Sequence, residues 1–219
     1  MGGVIKSSII RKVAMALSGL FLVFFLFQHF SINFTALFSP ELFNELSHFM
    51  GTNPVVQFAL QPVLIFGVIF HFVMGFILEL QNRKARTVKY AQYNGAANAS
   101  WSSRNMIISG ITILAFLVMH FYDFWIHEMV EKYIEHAPAD PNRYYGELLE
   151  KFEDPIRTIL YVISFGFLGL HLWHGFASSF QSVGVNNKYS KAAGCFAKLF
   201  AVVIPVGFAI IAISLHLKH

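Results

Sequence analysis

The chain is poor in cysteine and in charge, and each shortage removes whole classes of function. Cys195 is the single cysteine among 219 residues. That excludes an intrachain disulfide, a cysteine-held iron–sulfur cluster and a four-cysteine zinc site. No Cys-x-x-Cys-His occurs either, so a haem could be held only non-covalently. Charged residues make up 13 % of the chain against 56 % hydrophobic, with mean hydropathy +0.56. Soluble domains carry roughly a quarter charged residues; about half that share, set around long uncharged runs, belongs to lipid. The length suits one compact bundle rather than two domains. The net charge of +4 does not point to nucleic acid, because the basic residues flank apolar runs, where they orient a membrane protein.

A spanning helix needs about 20 apolar residues at a rise of about 1.5 Å each. Five segments qualify: Val13–Phe38, Val55–Leu80, Met106–Ile126, Ile156–Phe180 and Phe196–Leu217. The first follows Lys6, Arg11 and Lys12 as a signal peptide would. It is too long for a signal core and has no small-residue cleavage site, so it reads as a retained helix. Pro40, Pro54, Pro62, Pro155 and Pro205 fall near span ends or inside spans, where neighbouring helices tolerate a kink. Backbone groups cannot stay unpaired in hydrocarbon, so the expected fold is all-α, one integral bundle of five transmembrane helices.

Orientation follows from lysine and arginine. The N-terminal segment, the loop carrying Arg83, Lys84, Arg86, Lys89 and Arg104, and the loop carrying Lys188 and Lys191 all fall on one side. That side is expected to be cytoplasmic, with the N-terminus inside and the C-terminus outside. The opposite side is acidic, with Glu41 and Glu45 in one loop and eight carboxylates in the other, at 127–155. This second loop is long for a bundle connection. Its stretches Glu128–Ala137 and Tyr144–Phe152 read as short amphipathic helices parted by Pro138 and Pro141, a cap on the outer face. No internal repeat stands out.

Ten histidines are present. His48, His127, His136, His216 and His219 belong to loops or span ends, where a polar residue meets water. His29, His71, His120, His171 and His174 have apolar neighbours. A polar residue inside a membrane is costly and faces a site, a cavity or a partner. His29 lies about 16 residues, or 24 Å, into an outward-running helix, and His120 about 14 residues, or 21 Å, into another. His71 and His171 each stand about 9 residues, or 14 Å, from the inner ends of inward-running helices. Four helices thus supply one histidine each, sorted by depth into an outer pair and an inner pair about 10 Å apart. A haem takes two imidazoles on opposite faces, and helices of a bundle supply them from facing sides. A bare metal site would gather more ligands at one level, and a histidine pair could also simply bond to itself. His174, one turn beyond His171, is the rival ligand on its span, or a partner for a propionate or quinone. Small residues, Ser18, Gly19, Gly67, Gly75, Gly110, Gly166, Gly169 and Gly175, suit close packing around a flat group, or ordinary helix packing.

The segments KVAMALSGLFLVFFLFQHFSINF, HFVMGFILELQNRKARTVKY and LGLHLWHGFASSFQSVG together resemble the dihaem cytochrome b membrane subunit of succinate:quinone oxidoreductases, in its single-chain, five-helix form. The resemblance covers nearly the whole chain except the acidic cap. It implies two b haems held by His29, His71, His120 and His171, with Gly175 completing a His-x-x-x-Gly pattern that favours His171 over His174. It also implies an iron–sulfur subunit docked on the cytoplasmic face and carrying a flavoprotein, with electrons passing to or from menaquinone in a bacterial inner membrane. The dicarboxylate site would then lie outside this chain.

The basic, aromatic-dotted stretch after the second span suits an acidic partner, and Arg83, Arg86 and Arg104 are candidates for haem propionates. Quinol oxidation near the outer haem needs a proton acceptor there. Glu45, His48, Asn53, Gln57 and Asp123 lie on that side. Asp123 and Glu79 sit near span ends, so a buried carboxylate path through the membrane is not expected. Two rival readings remain: a dihaem anchor of another quinone-linked dehydrogenase or hydrogenase, and a transporter using the histidines as a proton relay, which would want acids or broken helices inside the membrane.

Overall fold

The computed structural model describes residues 8–84, 105–185 and 187–218. Among these residues the fold is all helix, with no strand. Helix α1 is Ser8–Thr35. A short α2, Pro40–Thr52, starts where the Ser39 hydroxyl accepts the Leu42 amide and Pro40 takes the first turn. A π-helical turn at Val56–Leu60 leads into α3, Gln61–Lys84. Helix α4, Met106–His120, passes through a second π turn, Phe121–Ile126, into α5, His127–Tyr133. Then follow α6, Arg143–Glu153, α7, Pro155–Ser182, and α8, Ser190–His216.

Five helical stretches are long and apolar enough to cross a bilayer: Ile9–Thr35, Val56–Lys84, Met106–Tyr133, Pro155–Ser182 and Ser190–His216. Large apolar side chains point outward along them, Phe24, Phe58, Phe66 and Val118 among them. In water such a surface would aggregate; around a membrane protein it faces lipid. The chain is a multi-pass membrane protein. The bounds differ from the sequence expectation at one instructive place. The third span does not stop at Ile126 but continues to Tyr133, so the first of the two expected cap helices is its extension. Helix α2 was not foreseen, because its Pro and Ser read as a loop until they are seen as a cap and a first helical residue.

Packing is uneven around the bundle. Helix α8 buries one stripe: Ala197, Phe200 and Ala201, then Ile204 and Pro205, Gly207 and Phe208, Ile211 and Ala212, and finally Leu215. That is the three-and-four spacing of a single helix face. The stripe lies mainly on α7, with a close approach at Gly169, where an added Cβ would stand 3.2 Å from the Ala201 carbonyl oxygen. Residue 205 is proline, so Ala201 lacks its usual amide donor four residues on. A proline inside a membrane helix is tolerable where a neighbour packs this closely. Helix α1 packs on α3, α7 and α8, whereas α3 meets α4 only sparsely. The fold is therefore tight on its α1–α7–α8 side and looser between α3 and α4.

Helices α2, α5 and α6 form the cap at one end. Arg143 bonds Glu128, Glu131 and Glu147, and Lys132 joins Glu128. Burial alone would lower the Arg143 pKa, but bonds to Glu147 and Glu128 outweigh it and raise it. Burial, reinforced by Glu128, pushes the Tyr144 hydroxyl up to about 12.

Candidate functional site

Helices α1 and α4 both run toward the cap, and their sequences share a pattern. Each carries Met-x-x-Ser-Gly, then a phenylalanine, then a histidine four residues later. On α1 these are Met15, Ser18, Gly19, Phe25 and His29; on α4 they are Met106, Ser109, Gly110, Phe116 and His120. The spacing from serine to histidine is eleven residues in both. Helices α3 and α7 run back, and each carries His-x-x-x-Gly, as His71 with Gly75 and His171 with Gly175.

The contacts repeat as the sequence does. Ser18 Oγ lies 3.0 Å from His71 Nδ1, and Ser109 Oγ lies 3.2 Å from His171 Nδ1. A Cβ at Gly19 would stand 3.3 Å from His71 Cε1, and one at Gly110 would stand 3.9 Å from His171 Cε1. At Gly75 it would meet Met15 Cε at 3.5 Å, and at Gly175 it would meet Met106 Cε at 3.4 Å. Phe25 stacks on His29 at 5.5 Å between ring centroids, and Phe116 on His120 at 5.6 Å. The α1/α3 and α4/α7 pairs are two copies of one helical hairpin. This corrects the expectation that the chain has no internal repeat. Five residues scattered from Met15 to His29, and again from Met106 to His120, are invisible to a search for contiguous similarity, and the spacing is the signal that finds them.

The copies meet at the histidines. His29 faces His120 with centroids 5.7 Å apart, and His71 faces His171 at 6.3 Å, the rings near perpendicular in both. Each pair joins equivalent positions, as contacts across a two-fold axis do. Because Ser18 is level with His71, the eleven residues from Ser18 to His29 measure the separation of the two levels along α1. It is about 16 Å, longer than the 10 Å expected from depth alone. His174 is half-buried and belongs to neither ring pair.

The two levels are built differently. At the far level each ring has a serine hydroxyl. At the cap-side level the walls are aromatic: Phe208 stands 5.8 Å from His29, while Phe124 and Tyr161 stand 5.2 and 6.2 Å from His120. His120 Nδ1 is buried and has no hydrogen-bond partner among the described residues.

One turn past His120, in the π segment, Asp123 is 2 % exposed. Tyr161 donates to its Oδ2 at 2.8 Å, and Arg157 lies 3.5 Å from Oδ1. The sequence placed Asp123 near a span end. The helix in fact runs on to Tyr133, so this is a carboxylate buried within the bundle. The other proposed quinone contacts scatter. The Asn53 side chain accepts the amides of Val55 at 2.9 Å and Val56 at 3.3 Å, capping the second span. Gln57 bonds the Gly51 carbonyl, and His48 packs edge-on against Tyr144 at 6.1 Å, so both join the cap. Glu45 is exposed. Arg83 is exposed and paired with Glu79 at 2.7 Å, while Arg86 and Arg104 lie outside the described residues.

Among the described residues His127, Glu131 and Glu147 also come within 4.8 Å of one another. Arg143 already bonds both glutamates there, which occupies oxygens and offsets part of the charge a cation would use.

Two metal–imidazole bonds of about 2 Å each, with the ring radii added, would set imidazole centroids about 6 Å apart. Both pairs meet that distance. With no further ligating side chain in either pair among the described residues, neither pair forms a closed tetrahedral site. Comparison with protein-family models, with curated proteins and with solved structures gives no match for this chain.

Proposed function

We propose that the chain is the membrane-anchor and electron-transfer subunit of a succinate:menaquinone oxidoreductase, and that it holds two b haems between His29 and His120 and between His71 and His171. The observation that carries the reading is the stacking of two imidazole pairs at two depths, each joining equivalent positions of a repeated hairpin. The residues fit the group: imidazole donors at about the right separation, and glycines where the edges of the His71 and His171 rings come close. A haem bound at each level would supply one-electron transfer.

The chain's own residues have separate tasks in this reading. The histidines orient the two sites, and the aromatic walls exclude water from the cap-side one. Tyr161 and Arg157 hold the Asp123 side chain in place beside it. Asp123, with His48 and Gln57, lies toward the face where a quinone would exchange protons. The basic face, taken as cytoplasmic, would dock an iron–sulfur subunit bearing a flavoprotein, in a bacterial inner membrane. These partners rest on the sequence resemblance alone.

The test is a reduced-minus-oxidised absorption spectrum of the purified chain with a haem assay. Two haems per chain are expected, and a protein without a haem band overturns the reading. Co-purification with a flavoprotein and an iron–sulfur protein identifies the complex; their absence from a haem-loaded preparation favours another quinone-linked enzyme.

A further inference from the structure

We infer that Ser18 and Ser109 are positioning residues that fix the ring tautomer of His71 and His171 and tune the metal-binding strength of that one pair; this rests on the haem reading above. The argument begins with the serine protons. Ser18 Oγ lies 2.8 Å from the Met15 carbonyl oxygen, and Ser109 Oγ 2.9 Å from the Met106 carbonyl oxygen. Two oxygens at that separation need a hydrogen between them, and a carbonyl has none. Each hydroxyl proton is therefore committed to the backbone three residues earlier. What the serine offers its histidine is a lone pair, so the imidazole is the donor, through Nδ1–H. A neutral imidazole protonated on Nδ1 has its free lone pair on Nε2, which is the atom left for a metal.

The glycine after each serine makes this reach possible. At residue 19 a methyl group would press on His71 Cε1 at 3.3 Å, and at residue 110 it would touch His171 Cε1 at 3.9 Å. Helices α1 and α4 can thus lie close enough to the rings for a side chain as short as serine to span the gap. The device occurs twice and serves both members of one pair. Among the described residues His29 and His120 have no counterpart. Near the His29 ring, Asn33 Nδ2 stands 3.5 Å from both ring nitrogens and spends its good bond, 2.8 Å, on the His29 carbonyl.

An acceptor on Nδ1–H raises the basicity of the other nitrogen and strengthens its bond to metal. A more basic ligand favours the ferric over the ferrous state. Removing the acceptors should therefore raise the midpoint potential of one haem and leave the other alone. The experiment is redox potentiometry of the full-length protein, followed in the haem α-band and by electron paramagnetic resonance of the ferric state. The variants are Ser18→Ala, Ser109→Ala, both together, and the threonine replacements. A tenfold loss of ferric preference would shift that haem up by about 59 mV, the one-electron equivalent of a tenfold change. The threonine variants, which keep the hydroxyl, should stay at the wild-type value. The shifted component must be the one lost in His71→Ala.

Equal movement of both haems, no movement of either, or movement of the haem lost in His29→Ala overturns the inference. If the double variant fails to accumulate, either single variant carries the same test, since each removes one acceptor. A wild-type protein without haem would overturn the haem reading instead, and the two failures are distinguishable.

Discussion

The two histidine levels solve one problem by different means. At the far level the rings are held by hydrogen bonds, with serine hydroxyls on both Nδ1 atoms and glycines letting the helices close in. At the cap-side level they are held by shape, each stacked on the phenylalanine one turn before it and walled by Phe208, Phe124 and Tyr161. A hydrogen bond fixes which nitrogen carries the proton, whereas a ring wall fixes only the plane. The far pair is thus chemically specified and the cap-side pair sterically specified. One chain can in this way give two similar donor sets different properties.

The largest effect that tests this contrast is loss of a site. In the haem reading, His171→Ala and His120→Ala should each lower haem content from the proposed two per chain to one, and they should remove different spectral components; loss of the same component from both would collapse the two levels into one. Next comes Tyr161→Phe, which strips the donor from a buried carboxylate. It should cost about 1.5–3 kcal/mol, the range for hydrogen bonds to charged groups, read as thermal unfolding in detergent, and should perturb only the cap-side spectrum.

Gly207→Ala should be milder, in the lower part of the roughly 1–3 kcal/mol range for overpacking. Its new methyl would meet Phe30 at 2.5 Å, the residue beside His29. Gly175→Ala, at 3.4 Å from a flexible methionine end, should cost less, and a reversed order in melting temperature would contradict the view that packing holds the cap-side level. Smallest of all, His174→Ala should leave both haems in place. Loss of the far-side haem in that variant would transfer the ligand role from His171.

Much of this was readable from composition and period. Long uncharged runs force helices in lipid, and counting residues from the span ends sorted the histidines into the pairs that the structure brings together. Depth counting failed on the level spacing because span ends are set by neighbours and not by hydropathy alone. The third span shows the same failure: Glu128 and Glu131 read as loop chemistry, yet the helix runs through them because Arg143 and Lys132 compensate their charge. Asp123 was misplaced for that reason. Asn53 and Gln57 are ordinary polar residues in sequence, and only the turn geometry shows that one caps a helix and the other bonds the loop before it. Ser109 carried no signal of its own. It becomes visible only when its distance to His120 is laid beside that of Ser18 to His29.

That repeated spacing has a consequence for how little must be specified to build such a bundle. A hairpin of two helices, with its methionine, serine, glycine, phenylalanine and two histidines in place, carries what both histidine pairs need to form, although the cap-side wall also draws on Phe208 of α8. Two identical hairpins associating side by side would regenerate both pairs, because each histidine meets its own counterpart. The single chain is in that sense a tethered dimer. Its fifth helix and acidic cap are additions that make the two halves unequal, since α8 lies mainly along α7 of one hairpin and meets the other only through α1.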